Sequence, residues 1–499
     1  MSSSVDLAIL LKGRAAPRIA GGAAALLVLA FATRAAAQET PPEPPPLAEP
    51  AAPSPPPPPP PPPAPPPPPA PPPPPTAVAP PAETTPPVEL PLTPEPSRLV
   101  QRPAYVTITD HGGAAITSLD GAYELRIRGV VQTDLRLFAN DEHKLTDQFL
   151  FRRARPYIEG KIARAVTFRL MPDFAEGKAV LYDAWFDVRA NDALRLRIGK
   201  AKAPFGLERL VNDTAIIFGE RAYPTTLSPN RDLGVELHGD LFGGVLGYSL
   251  GVYNGVPDNQ LSDGDQDDSK EVVGRLEVGP FARSGVKALS GLRVGFAATR
   301  GEKTGTVASP YLTGYKTFGQ NTFFSFLQDT TAGAPPANTA LAAGLHARET
   351  AQLYWPIGPL ALLGEVVVTD ERVARAGQSS LLHNVAWNGT AAFVLTGEDE
   401  TFDGPTPRHA FDADEGHFGA VELALRATEL HVDNDSFPQF ADATKSARDA
   451  FEVAAGLNWY PLAQVKFVAD FARTTFEGGA PHTSRDAEQI FLLRTQLAF

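Results

Sequence analysis

The sequence predicts an all-β chain: a membrane-spanning antiparallel barrel of about sixteen strands, with eighteen as the alternative count, behind a proline-rich segment that builds no core. Three observations predict it. An apolar/polar alternation of period two runs from Tyr123 to the end of the 499-residue chain. The mean hydropathy of −0.14 is that of a soluble protein, as a barrel's is when lipid-facing and lumen-facing residues average out. No segment after the N-terminal leader is apolar enough to span as a helix.

The elements follow in chain order. Lys12, Arg14 and Arg18 precede an apolar run from Ile19 to Phe31, and Ala35, Ala36 and Ala37 supply small residues at a cleavage site. Residues 1–37 therefore read as an export signal, since the run is too short for an anchor. Residues 38–100 hold 33 of the 52 prolines. Such a tract stays disordered or extended as polyproline II, a stiff spacer in the periplasm with the cell wall or a periplasmic protein as the sharper alternative partner. Residues 101–121 are a lead-in, and 122–499 the barrel.

In the first barrel strand Tyr123, Leu125, Ile127, Gly129, Val131, Thr133, Leu135 and Leu137 share one face, and Glu124, Arg126, Arg128, Gln132, Asp134 and Arg136 the other. This run is longer than a soluble strand of 5–6 residues and suits a tilted span of about 9–11. Phe168, Leu170, Pro172 and Phe174 oppose Thr167, Arg169 and Asp173; Val180, Tyr182, Ala184, Phe186 and Val188 oppose Asp183, Trp185, Asp187 and Arg189. Leu194, Leu196 and Ile198 alternate with Arg195 and Arg197. Similar rows recur around Val421–Arg426 and Phe451–Trp459, and in Phe491–Phe499, where the chain ends on an aromatic residue. About 17 such segments can be counted, whereas bacterial single-chain barrels have even strand numbers. Asn321–Leu327, in a polar stretch, is the one to discard as an external loop.

Composition excludes several functions. There is no cysteine, so disulfides, Cys-zinc sites and Cys nucleophiles are absent. A net charge of −13 argues against nucleic acid as partner. No Gly-x-Ser-x-Gly, His-Glu-x-x-His or Walker pattern occurs, and no cofactor or enzymatic activity is expected. Asp263, Asp265, Asp267 and Asp268 miss the EF-hand pattern and read as a solvated turn. Glu398, Asp399, Glu400, Asp403, Asp412, Asp414 and Glu415 crowd another loop, read as solvated in preference to a cation bridge to lipopolysaccharide.

Charge is uneven. Ala122–Arg231 carries 19 Lys and Arg against 14 Asp and Glu, a balance of +5, leaving −18 for the rest. By alternation Arg126, Arg128, Arg153, Arg155, Arg195 and Arg197 fall on wet faces. Lys200, Lys202, Arg209, Arg221 and Arg231 flank or lie in the long connection Leu207–Asn230, the candidate for an inward-folded loop. Fixed cations at a constriction favour anions, and an arginine fork suits phosphate oxygens. These eleven residues are the candidate anion path, with Asp134, Asp183 and Asp187 as balancing charges.

The order of Phe151–Arg155, Gly160-Lys161, Asp183-Ala184-Trp185, Arg197–Lys200, Pro204–Glu208, Glu220–Ala222, Arg231–Val235 and Gly251–Gly255, with Asn458–Tyr460 and the closing strand, resembles the phosphate-selective porin O and P family. That resemblance implies a sixteen-strand porin in the outer membrane of a Gram-negative bacterium, usually a homotrimer among lipid and lipopolysaccharide, with its N-terminal segment in the periplasm. It also implies phosphate transport through a channel narrowed by an inward loop and lined with Arg and Lys. The alternatives are a general, non-selective porin, a barrel enzyme, or an envelope anchor whose working part is the proline tract.

Overall fold

The computed structural model describes residues 103–108, 113–139, 145–331, 335–478 and 485–499. The export-signal and proline-rich assignments lie outside these residues.

Sixteen antiparallel strands close on themselves: β1 Glu124–Ala139, β2 Gln148–Ile162, β3 Val166–Asp173, β4 Val180–Asn191, β5 Leu194–Lys202, β6 Arg231–Leu241, β7 Leu246–Tyr253, β8 Glu271–Val278, β9 Arg293–Thr304, β10 Leu341–Ile357, β11 Leu360–Arg375, β12 Gln378–Val394, β13 Ala420–His431, β14 Asp449–Leu462, β15 Val465–Glu477 and β16 Glu488–Ala498. β16 pairs with β1, from Gln489 opposite Ala139 to Ala498 opposite Val130. Closure leaves no edge to template aggregation. The alternative count of eighteen is reached only by adding a lead-in hairpin, Ala104–Ile108 and Ala114–Ser118, whose second strand pairs with the start of β1. Thr322–Phe324 pairs only with Tyr315–Lys316, so the discarded segment is indeed not a barrel strand.

The terminal Phe499 completes the seam. Its amide donates to Gly129 O at 2.9 Å, and Gly129 N returns a bond to Phe499 O at 2.7 Å. A Cβ on Gly129 would stand 2.5 Å from the Phe499 ring, so only glycine admits this aromatic terminus.

Burial is inverted relative to a soluble protein. Gln132, Asp134, Arg136, Arg426, Glu452 and Arg494 are buried inside, while Phe149, Leu250, Phe296, Leu425 and Leu493 lie exposed outside. An apolar exterior around a polar interior is stable only when the exterior meets lipid. Among the described residues no helix is long and apolar enough to cross a membrane; the strands cross it.

Two β-bulges correct the face assignment. Between β1 and β2, Gln132 pairs with Arg153 but Thr133 with Phe151, leaving Arg152 as an extra residue. Arg152 and Arg153 therefore both turn inward. Between β3 and β4, Met171 pairs with Asp183 but Pro172 with Leu181. Leu181 takes the lipid-facing position assigned above to Tyr182, and the Tyr182 ring packs inside under two arginines.

The rim holding both chain ends has connections of 2–14 residues, except residues 395–419. The opposite rim carries the long connections 203–230, 254–270, 305–340 and 432–448. Several of these fold inward. Phe205, Tyr223 and Leu227 pack with Tyr315, Phe323 and Phe324 and with the wall residues Tyr253, Val273, Val367, Ala386 and Leu430. Tyr223 meets Phe323 edge-on at 5.8 Å, and Tyr315 stacks on Phe324 at 5.3 Å. This apolar core fills the lumen beside β7–β13. Charged side chains line the lumen along β1–β6.

Candidate functional site: the lumen constriction

The expected inward loop is present. Residues 203–230 leave β5, form the short helix α1 Leu207–Leu210, and are almost wholly buried inside the barrel. Polar groups of the far wall hold the loop's backbone. Glu365 on β11 accepts from Leu207 N at 2.6 Å, and Asp470 on β15 accepts from Gly219 N at 2.7 Å. Asn458 and Lys466 donate to Ile217 O and Ile216 O, both at 2.8 Å, and Arg426 donates to Glu220 O at 2.8 Å. Gln132 and Gln496 hold Asp213 O and Thr214 O at 3.1 Å each. A loop with this many buried carbonyls must find donors, and the wall supplies them.

Asp213 is the hub. Its carboxylate pairs with Arg221 at 2.8 Å, Arg231 at 3.6 Å, Arg153 at 3.7 Å and also with Arg155. Burial pushes its pKa up, but Arg155, Arg221 and Arg153 outweigh that and hold it well below the ordinary carboxylate range. Glu220 is depressed in the same way: Arg152, Arg136 and Arg494 overcome its burial. Arg152 grips it with Nε at 2.6 Å and Nη2 at 3.1 Å.

Beside Asp213 lies a cavity of about 350 Å³. Arg128, Arg155, Arg169, Arg197, Lys202 and Arg231 line it, against Asp183 and Asp213. Aromatic rings orient the guanidiniums. Tyr182 is sandwiched between Arg155 at 3.7 Å and Arg231 at 3.9 Å, and Arg197 lies 4.9 Å over Trp185. Carboxylates stand behind the cations: Glu159 binds Arg169 at 2.7 Å and Arg128 at 3.3 Å, Asp173 binds Arg155 at 2.6 Å, and Asp187 and Glu236 bind Arg197 at 3.2 and 3.4 Å.

The eleven sequence candidates divide accordingly. Arg128, Arg155, Arg197, Lys202 and Arg231 come together at the cavity, and Arg153 joins them through Asp213. Arg209 and Arg221 brace the loop: Arg209 donates to Thr225 O at 2.8 Å, and Arg221 to Glu208 O at 3.0 Å and Val211 O at 2.9 Å. Arg126 pairs with Glu124, and Arg195 with Asp192 and Asp240, towards the rim of the chain ends. Lys200 stands apart. Register sets it in the row of Ala184 and Leu233, and its ammonium bonds Leu181 O at 2.7 Å and Asp263. Sequence reading missed Arg152, Asp213, Tyr182 and Glu220 as parts of the site, and it placed Arg169 on a wet face without counting it as one. The bulges hid the first and third; nothing in the alternation marks the two loop carboxylates.

Glu398 and Glu400 correct another expectation. They are buried, whereas Asp412, Asp414 and Glu415 of the same connection are exposed as expected. Among the described residues no group of three or more His, Cys, Asp or Glu could hold a metal ion.

A closed sixteen-strand barrel, apolar outside, charged within and crossed by a folded-in loop, is an outer-membrane channel of the porin class. The chain belongs to the phosphate-selective porin O and P family, whose profile matches residues 125–499. No curated protein sequence matches it. Similar solved structures include the outer-membrane channel DcaP of Acinetobacter baumannii, with 9% identity, TM-score 0.49, and coverage of 77% of this chain and 99% of that one. OmpF of Salmonella typhi shows 11% identity and TM-score 0.47 over 76% and 98%. The trimer form of OmpT of Vibrio cholerae shows 10% identity and TM-score 0.45 over 76% and 100%.

Proposed function

We propose that this channel passes small anions, phosphate among them, along the β1–β6 side of its lumen. The observation that carries the reading is the cavity beside Asp213, where six cationic side chains face two carboxylates, an excess of four positive charges. Guanidinium forks turned into a low-dielectric passage concentrate anions and repel cations. Phosphate rests on the family and on the suitability of arginine forks for its oxygens. The reading includes a homotrimer in lipid and lipopolysaccharide, an export signal at 1–37, and residues 38–100 as a periplasmic spacer ahead of a barrel domain at 122–499.

One observation favours a general porin instead. Adding Glu159, Asp173, Asp187 and Glu236, which back the cations, brings the balance to zero. Selectivity then depends on geometry: the cations face the route and these four carboxylates stand behind them. The anion preference is accordingly expected to be moderate.

Reversal potentials across planar bilayers in a potassium chloride gradient test this. Arg128, Arg169 and Arg197, whose ion pairs are with carboxylates of the wall and not of the loop, are changed together to Gln. The parent should favour chloride, and the triple variant should shift towards potassium. Arg195→Ala, away from the cavity, should not shift. Phosphate should block chloride current more strongly in the parent than in the triple variant. A parent that prefers potassium refutes anion selectivity; one that prefers chloride without phosphate block removes only phosphate.

A further inference from the structure

The rim of the chain ends should carry short turns, as barrel periplasmic rims do. Residues 395–419 break that rule. This 25-residue connection between β12 and β13 enters the lumen and meets the constriction loop from the other side. We infer that residues 395–419 are a second gate of this channel, a lid docked under the constriction loop through Phe402 and Asp403 and latched by the buried carboxyl of Glu400. The inference rests on the channel class and not on anion preference.

The docking is specific. Phe402 packs edge-on against Tyr354 of β10, with ring centres 5.5 Å apart. It also packs against Leu207 and Leu363 and against Val211, Ala215 and Ile216 of the constriction loop. Asn212 Nδ2 of that loop donates to Asp403 Oδ1 at 2.9 Å. Gly397 and Gly419, near the two ends of the connection, have φ of +88° and +73°, where other residues are strained. The path of the lid is thus set at both ends and at its tip.

The latch is Glu400. Its amide donates to Gly358 O at 2.7 Å, in the turn between β10 and β11, and its buried side chain interacts electrostatically with Glu422 of β13. Glu422 Oε2 is taken by Tyr460 at 2.6 Å and Asn458 at 3.1 Å. Glu400 Oε2 and Glu422 Oε1 are both buried with no hydrogen-bond partner. Two neighbouring carboxylates cannot both ionise there without strong repulsion. The other groups around Glu400 relieve it only in part. Lys466 on β15 is the cation among them, and its ammonium is engaged with Ile216 O at 2.8 Å. Glu208 and Tyr354 line the same small cavity as Glu400, and the Tyr460 hydroxyl is taken up by Glu422. Burial first, then Glu422, pushes the Glu400 pKa up to about 8.

The sign follows. Released into water, Glu400 has an ordinary carboxyl pKa of about 4.3. The docked lid therefore holds a proton that the released lid gives up. Docking is undiminished below about pH 4 and weakens by up to tenfold per pH unit as pH rises towards 8. The lid closes in acid and opens in mild alkali.

The full-length protein in planar bilayers tests this, with conductance recorded from pH 5 to pH 9. Parent conductance should rise with pH. Glu400→Gln, which cannot ionise, should stay low throughout. Replacing residues 398–416 by a short glycine-serine turn should give high conductance at every pH. The chain has no cysteine, so Asn212→Cys with Asp403→Cys can be bridged by a short bis-maleimide; bridged channels should stay low at pH 9. The proposal is overturned if Glu400→Gln keeps the parent's pH response, or if trimming the lid leaves conductance at pH 5 unchanged. Loss of anion preference in the separate reversal-potential assay touches the proposed function and leaves the lid standing.

Discussion

Asp213→Asn isolates the hub of the constriction. The substitution keeps the shape of the side chain and removes its charge. At an effective dielectric near 20, one ion pair at 4 Å is worth about 4 kcal/mol before desolvation. Asp213 makes four such pairs, three of them at 2.8, 3.6 and 3.7 Å. Burial of the ions offsets most of that gross attraction, and removing one partner of a buried pair costs about 3–5 kcal/mol net. That cost falls on the loop and not on the barrel. The barrel keeps its sixteen-strand ladder, and the loop keeps its wall bonds at Ile216, Ile217, Gly219 and Glu220. The segment around Asn212–Thr214 should therefore loosen while the wall stays intact. The charge balance beside the cavity also moves by one unit towards positive. In planar bilayers the variant should conduct more, with noisier open levels, and its reversal potential should shift towards chloride. Heat-resistant migration on gels should be unchanged. An intact barrel with parental conductance, noise and reversal potential would refute the placement of Asp213 at the constriction.

Leu493→Arg, on the lipid face midway along β16, should destabilise the barrel by about 2–4 kcal/mol in urea unfolding from lipid vesicles. Leu125→Arg, near the rim at the start of β1, should cost only about 0–1 kcal/mol in the same assay. Gly129→Val forces a side chain into the Phe499 ring and should slow barrel assembly, read as delayed appearance of the heat-resistant form. Asp213 and Glu220 have depressed pKa values in the folded loop, so their contribution is full above about pH 4 and is lost only as pH falls through the depressed values. With Glu400→Gln removing the lid's titration, conductance should accordingly stay low and flat from pH 5 to pH 9, and a slope like the parent's would overturn the lid.

The sequence by itself determined the barrel. A strand presents its side chains alternately to two sides, so a wall between lipid and water writes period two directly into the residues, as in Leu125 to Leu137 against Glu124 to Arg136. It also showed the cationic bias of the first half and the long connection that becomes the inward loop. What only the tertiary structure decided is which charges meet. Register is a property of two strands, and one extra residue reverses the faces beyond it. That is why Arg152 and Tyr182 point inward against their local pattern, and why Lys200, in a cationic stretch of sequence, is spent on Asp263. The loop carboxylates Asp213, Glu220 and Glu400 carry no periodic signal at all. Their roles arise where segments far apart in the chain fold into one lumen, and there burial and neighbouring charge, absent from any single segment, fix whether each carboxylate is an anchor or a proton-bearing latch.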